Sequence, residues 1–172
     1  MTRDTLNIAF RFLFLVLLQN LILNNIYFFG YINPNLYLLF IFLYPIETKR
    51  TNFLFVSFFL GLTIDVFSNS GGINAGATVA TAYLSLPILK ILLNSQDTDF
   101  KLFKLSNEPF LKILVYVSLL TFIHHIFLFS FEYFSTQQIG MILYKAFTTS
   151  CFTIVLIVLS IYLSKKNIAT NQ

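Results

Sequence analysis

The chain has 172 residues, 57% of them hydrophobic and 10% charged, with a formal net charge of +4. That apolar share exceeds what one soluble core of this size can hide, so the sequence reads as a membrane protein. No Cys pair, metal-ligand spacing or long hydrophilic segment points to an attached soluble domain, and Cys151 lies in an apolar run where a reduced, structural thiol is expected.

A helix crosses about 30 Å of hydrocarbon with about 20 residues, or about 17 where the bilayer thins or flanking groups snorkel. Six segments meet that length: 5–24, 33–48, 53–69, 73–93, 110–131 and 139–163. They predict one all-α, polytopic domain of six transmembrane helices. The first runs without a small-x-small cleavage site and reads as a retained span. In the second, Asn33 and Pro34 look like an N-cap and a first-turn proline, while Pro45 is expected to disturb the far end.

Arg3, Lys49 with Arg50, Lys101 with Lys104, and Lys165 with Lys166 all fall on one side of this layout. The opposite connections, 25–32, 69–72 and 132–138, contain neither Lys nor Arg. Short loops kept in the cytoplasm carry the basic excess, so both termini are expected there. The same placement, with attraction to anionic lipid headgroups, accounts for the net charge and gives no argument for nucleic acid. The polar connection 94–109 reads as a solvated cytoplasmic loop or a partner contact.

The third and fourth segments meet at "FFLGLTIDVFSNSGGINAGATVATAYL", residues 58–84. Asp65 lies some 12 residues into its segment, about 18 Å along it. A carboxylate at that depth costs a few kcal/mol unless it faces protein or water. Ser57, Gly61, Asp65 and Ser68 share one stripe, so the acid is expected to face inward beside a glycine suited to close helix contact. It either braces the turn by accepting backbone N–H bonds, serves a ligand pocket, or shapes a partner surface. Gly72, Gly76 and Ala80 recur every four residues, which suits packing against the third segment or docking of another protein's helix.

His124, His125 and Lys145 are expected at similar depth. With Glu132 they offer an outward polar cavity; the plainer alternative is that Lys145 snorkels and a histidine bonds a neighbouring helix. Arg11 is expected to snorkel, and Gln19, Asn24 and Asn25 to bond between helices or at the interface. Tyr27, Tyr31, Tyr37 and Tyr44 suit the membrane borders. Neither a second acid for an aspartyl dyad, nor a nucleophile motif around Ser68 or Ser70, nor a phosphate-cradling glycine pattern is present, so no catalysis is expected. Neighbouring histidines point about 100° apart on a helix, which makes a poor metal site; no metal or cofactor is expected.

Gly61-Leu62, Asp65, Ser68, Gly72 and Ala75, leading into a small-residue helix with Tyr83-Leu84, resemble the MreD family of bacterial rod shape-determining membrane proteins. "LVLLQN" with Gln19 and "GYINPNLYLLFIFLYP" look like its Bacteroidetes members, so the resemblance covers most of residues 8–93. Asn74 departs from it, since a His often precedes the Ala. The resemblance implies a non-enzymatic inner-membrane subunit of the cell-elongation complex. Such a subunit binds MreC and, through it, MreB filaments and the peptidoglycan synthases. It also implies a fold similar to the substrate-binding subunits of energy-coupling-factor vitamin transporters. A solute-binding subunit of that kind is the alternative function, although Ala9 followed by Leu13, among Phe10, Phe12 and Phe14, is bulkier than the small-residue docking row of such subunits.

Overall fold

In a computed structural model the described residues are 3–26, 32–45, 49–93, 105, 108–134 and 136–169. Every helix or strand formed among them is helical: α1 (Arg3–Leu21), α2 (Leu39–Leu43), α3 (Arg50–Ser68), α4 (Ile73–Leu93), α5 (Phe110–Tyr133) and α6 (Ile139–Ala169). Short 3₁₀ turns precede α2 at Leu36–Leu38, extend α1 at Leu23–Asn25 and precede α6 at Thr136–Gln138. Tyr27, Tyr31, Lys101, Lys104 and most of the 94–109 connection lie outside the described residues.

Five helices are long and apolar enough to cross a membrane. Their exposed surface is apolar: on α1, Leu6, Phe10, Leu13, Phe14, Leu17 and Leu21 form one outward stripe, while Leu15, Val16 and Gln19 turn inward. A soluble helix has the opposite arrangement. The most extensive helix contacts are those of α3 with α4, of α5 with α6 and of α4 with α5.

The second segment corrects the expected layout. Instead of a spanning helix over 33–48, the chain is helical only over Leu36–Leu38 and Leu39–Leu43. Proline explains both limits. Pro45 forces the residue before it out of the helical region, and Tyr44 is extended at φ −71°, ψ 136°. Asn35, after Pro34, stands as N-cap with no side-chain cap bond, so the helix begins later than an Asn33 cap would place it. About ten residues between two prolines cannot cross the hydrocarbon as a helix.

This short piece is apolar on every side and therefore buried on every side. Tyr37, Leu38, Phe40, Ile41 and Phe42 form the centre of the main core, against Leu15 and Val16 of α1, Leu60 and Ile64 of α3, Val117 and Leu120 of α5, and Ile157 and Ile161 of α6. A smaller cluster, Ala77, Leu128, Phe129, Ile142 and Ala146, joins α4, α5 and α6 near the 69–72 turn. Broken helix inside a membrane protein is stable where protein surrounds it and its free backbone groups find partners. Here side chains supply several. Gln19 Nε2 donates to the Pro34 carbonyl (3.1 Å), Tyr37 N–H donates to Gln19 Oε1 (3.3 Å), and Asn35 N–H donates to Thr153 Oγ1 (3.1 Å). Arg11 Nη1 donates to the Leu43 carbonyl (3.1 Å), which the break at Pro45 leaves open.

Candidate functional site

The turn between α3 and α4 needs left-handed backbone at three of its four positions. Asn69 has φ 52°, Gly71 65° and Gly72 95°. Asn and Gly are the residues that accept this conformation readily. Asn69 ends α3 with its N–H on the Asp65 carbonyl, which also accepts from Ser70 N–H at 3.2 Å.

The Asp65 side chain then starts the next helix. Its Oδ1 accepts from Asn74 N–H (2.9 Å), Asn74 Nδ2 (3.0 Å) and Ser70 Oγ (2.5 Å), and its Oδ2 accepts from Ala75 N–H (2.8 Å). Asn74 and Ala75 lie in the first turn of α4, where helical N–H groups have no intrahelical acceptor. A carboxylate from the preceding helix fills that vacancy and meets the positive end of the α4 dipole. One residue thus closes α3 with its carbonyl and caps α4 with its carboxylate.

Gly61, one turn earlier, allows this approach. A Cβ there would lie 2.5 Å from Ala75 Cα and 2.6 Å from the Asn74 carbonyl oxygen, both backbone atoms. Gly61, Asp65, Asn74 and Ala75 are therefore brought together, and Gly72 serves the turn that joins them. Ser68 is not: it is exposed, and its hydroxyl accepts from Asn24 Nδ2 (3.2 Å), tying the end of α1 to the end of α3. The hydroxyl that meets Asp65 belongs to Ser70.

From Asp65 a polar chain runs into the core. A carboxylate accepts only, so the Asn74 NH₂ faces it and Asn74 Oδ1 faces the Tyr37 hydroxyl, which donates at 2.9 Å. Tyr37 has then used its one proton, so its oxygen accepts from His124 Nε2–H at 2.9 Å. His124 Nδ1 then lies 3.2 Å from the Thr81 hydroxyl oxygen, whose proton goes to the Ala77 carbonyl at 2.8 Å. His125 takes the opposite tautomer. Its Nδ1 lies 2.8 Å from the Thr121 carbonyl, an acceptor, and so bears the proton, while Nε2 faces Asn35 Nδ2 at 3.3 Å. Ser150 Oγ is 3.1 Å from the same Nδ1, which has no lone pair left to take a serine proton.

The four residues expected to line an outward polar cavity separate. His124 and His125 are completely buried against Tyr37 and Asn35, and Glu132 is exposed. Lys145 places its ammonium over the Tyr133 ring at 4.9 Å from the centroid, and 5.8 Å from that of Phe129. The broken second segment occupies the space beside the histidines. Tyr37, expected at a membrane border, is fully buried at the centre of the network; Tyr44 is half-buried and stacks on Phe53. Sequence reasoning missed Tyr37, Ser70, Thr81 and Ser150. The signal available for Tyr37 was the short distance between Pro34 and Pro45, too little for a spanning helix.

Among the described residues no group of three or more His, Cys, Asp or Glu side chains converges in a way that could hold a metal ion. In comparisons with known proteins, the chain matches no family model, no curated protein and no solved structure.

Proposed function

We propose that the chain is a non-enzymatic, MreD-like subunit of a bacterial cell-elongation complex, seated in the inner membrane with both termini in the cytoplasm. It binds an MreC-like membrane partner and, through it, an MreB-like filament and the peptidoglycan synthases. The observation that supports this reading is that Gly61, Asp65 and Ala75, three of the residues on which the resemblance rests, and Asn74, its one departure, form a single contact unit, while Ser68 of the same pattern lies exposed. All the work visible at Asp65 is bracing: the carboxylate is 4% exposed and accepts four hydrogen bonds from its own chain. A rigid hairpin at one end of the bundle suits a scaffold that presents a surface.

The experiment is affinity purification of the full chain from its own cells, with cell shape scored in a depletion strain. Capture of an MreC-like protein and loss of rod shape on depletion are expected. Asp65→Ala, expressed to the wild-type level, should weaken capture. Unchanged morphology with no such partner captured overturns the reading. A stoichiometric small vitamin in the purified protein would favour the solute-binding alternative.

A further inference from the structure

The outer face of α4 is not covered by the bundle. Ala75, Gly76, Val79 and Ala80 form the floor of an open groove of about 500 Å³, walled by Phe58 of α3 and Phe127 of α5, with Tyr83 and Leu84 at one end. The floor from 75 to 84 is about 13 Å long at the helical rise. That is close to the depth of one leaflet, about 15 Å.

A cation is fixed at the Tyr83 end. Pro87 lies inside α4 and has no N–H, so the Tyr83 carbonyl lacks its helical donor. Arg50 Nη2 donates to that carbonyl at 3.3 Å, and the guanidinium lies 4.3 Å from the Tyr83 ring centroid. Two contacts therefore hold an exposed Arg at the mouth of an apolar trough, and among the described residues its guanidinium has no other hydrogen-bond partner. Lys49, also exposed, precedes it. No carboxylate among the described residues is paired with Arg50. Gly61, which packs on Ala75, is eleven residues along α3 from Arg50, so the trough runs from the headgroup level of Arg50 to near mid-membrane.

We propose that this groove binds an anionic phospholipid, with one acyl chain along Gly76, Val79 and Ala80 and the phosphate on Arg50. The apolar lining and terminal guanidinium match an amphiphile that has an oily tail and an acidic head. A partner helix fits less well. A helix about 10 Å across would stand largely out of this open groove, against the Phe58 and Phe127 side chains. Tight helix pairs also need backbones to meet over small residues, which the Phe58 and Phe127 walls obstruct. The inference is independent of the cell-elongation reading, because it uses neither the hairpin nor a protein partner.

The test is native mass spectrometry of the full chain in mild detergent, titrated with phosphatidylglycerol or phosphatidylethanolamine of identical chains. The wild type should retain one phosphatidylglycerol preferentially. Arg50→Gln should reduce that retention about fivefold, as loss of one interfacial cation implies, and Arg50→Lys should restore most of it. Ala80→Leu, at a half-buried position, should reduce retention of both lipids by filling the trough. Equal retention of the two lipids by the wild type, or retention unchanged in Arg50→Gln, overturns the proposal. So does an Ala80→Leu chain that keeps its lipid but loses a co-purifying membrane protein, which would make the groove a helix dock. Should Ala80→Leu fail to fold, the Arg50 pair alone decides.

Discussion

The two ends of the bundle solve the same problem with charges of opposite sign. At the 69–72 turn, a buried carboxylate meets N–H groups that the start of α4 leaves open. At the other end, exposed guanidinium groups meet carbonyls left open by proline: Arg11 on Leu43 before Pro45, and Arg50 on Tyr83 before Pro87. Each sign suits the backbone dipole it faces. The difference is the surroundings. Asp65 is nearly free of solvent and accepts four bonds, so no water replaces it when it is lost. Among the described residues Arg11 and Arg50 each give one hydrogen bond from an exposed position, where water or headgroups can substitute. One end should therefore be brittle and the other tolerant.

Asp65→Ala is the strongest way to break that contrast. It leaves two backbone N–H groups and the Ser70 hydroxyl without their acceptor and the Asn74 amide with only Ser70 Oγ, and should cost about 3 kcal/mol or more. The measurement is thermal unfolding in one fixed detergent, in which Asp65→Asn, retaining one acceptor oxygen, should lose roughly half as much. Next comes Gly61→Ala. Its methyl meets backbone 2.5 Å away, so α3 and α4 must part, at about 2 kcal/mol or somewhat more. Crosslinking between cysteines placed on the outer faces of α3 and α4 should weaken in step with stability. A Gly61→Ala protein as stable as wild type would mean that the helices slide past each other freely, and the brittle end would lose its main support.

Tyr37→Phe comes third, at about 1.5 kcal/mol, because it strands Asn74 Oδ1 and His124 Nε2–H inside the core. Loss of protection from hydrogen exchange in the first turn of α4 would show that Tyr37 supports the Asp65 cap through Asn74. This residue also marks where the sequence stopped being legible. Long apolar runs bounded by polar residues located α4 and the starts of α5 and α6 to the residue, with α5 running two residues past its expected end, because hydrocarbon thickness sets their length. The inward position of Asp65 beside Gly61 followed from helical spacing. The second segment did not yield to the same counting, since two prolines outweighed its hydropathy and turned a spanning helix into a buried plug, which still returns the chain from the Asn24 end of α1 to the Arg11 end. Once that plug lay beside α5, the polar stripes of α5 and α6 became interior contacts instead of a cavity wall. A network joining positions 37, 74 and 124 crosses three elements, and spacing along any one helix carries no information about it.

The smallest expected effect tests the tolerant end most sharply, because it asks whether Arg50 replaces a missing N–H or merely rests near it. Arg50→Gln alone should cost about 0.5 to 1 kcal/mol in a zwitterionic detergent, the range for an exposed charged contact. Pro87→Ala supplies an N–H at position 87, and the Tyr83 carbonyl regains its donor from within α4. In that background Arg50→Gln should become nearly neutral, so a double-mutant cycle should return a coupling energy close to the whole single-variant cost. Coupling near zero would mean that the cation–π stack on Tyr83 alone holds the guanidinium. The carbonyl opposite Pro87 would then be satisfied by solvent, and the parallel between the two ends would reduce to Arg11.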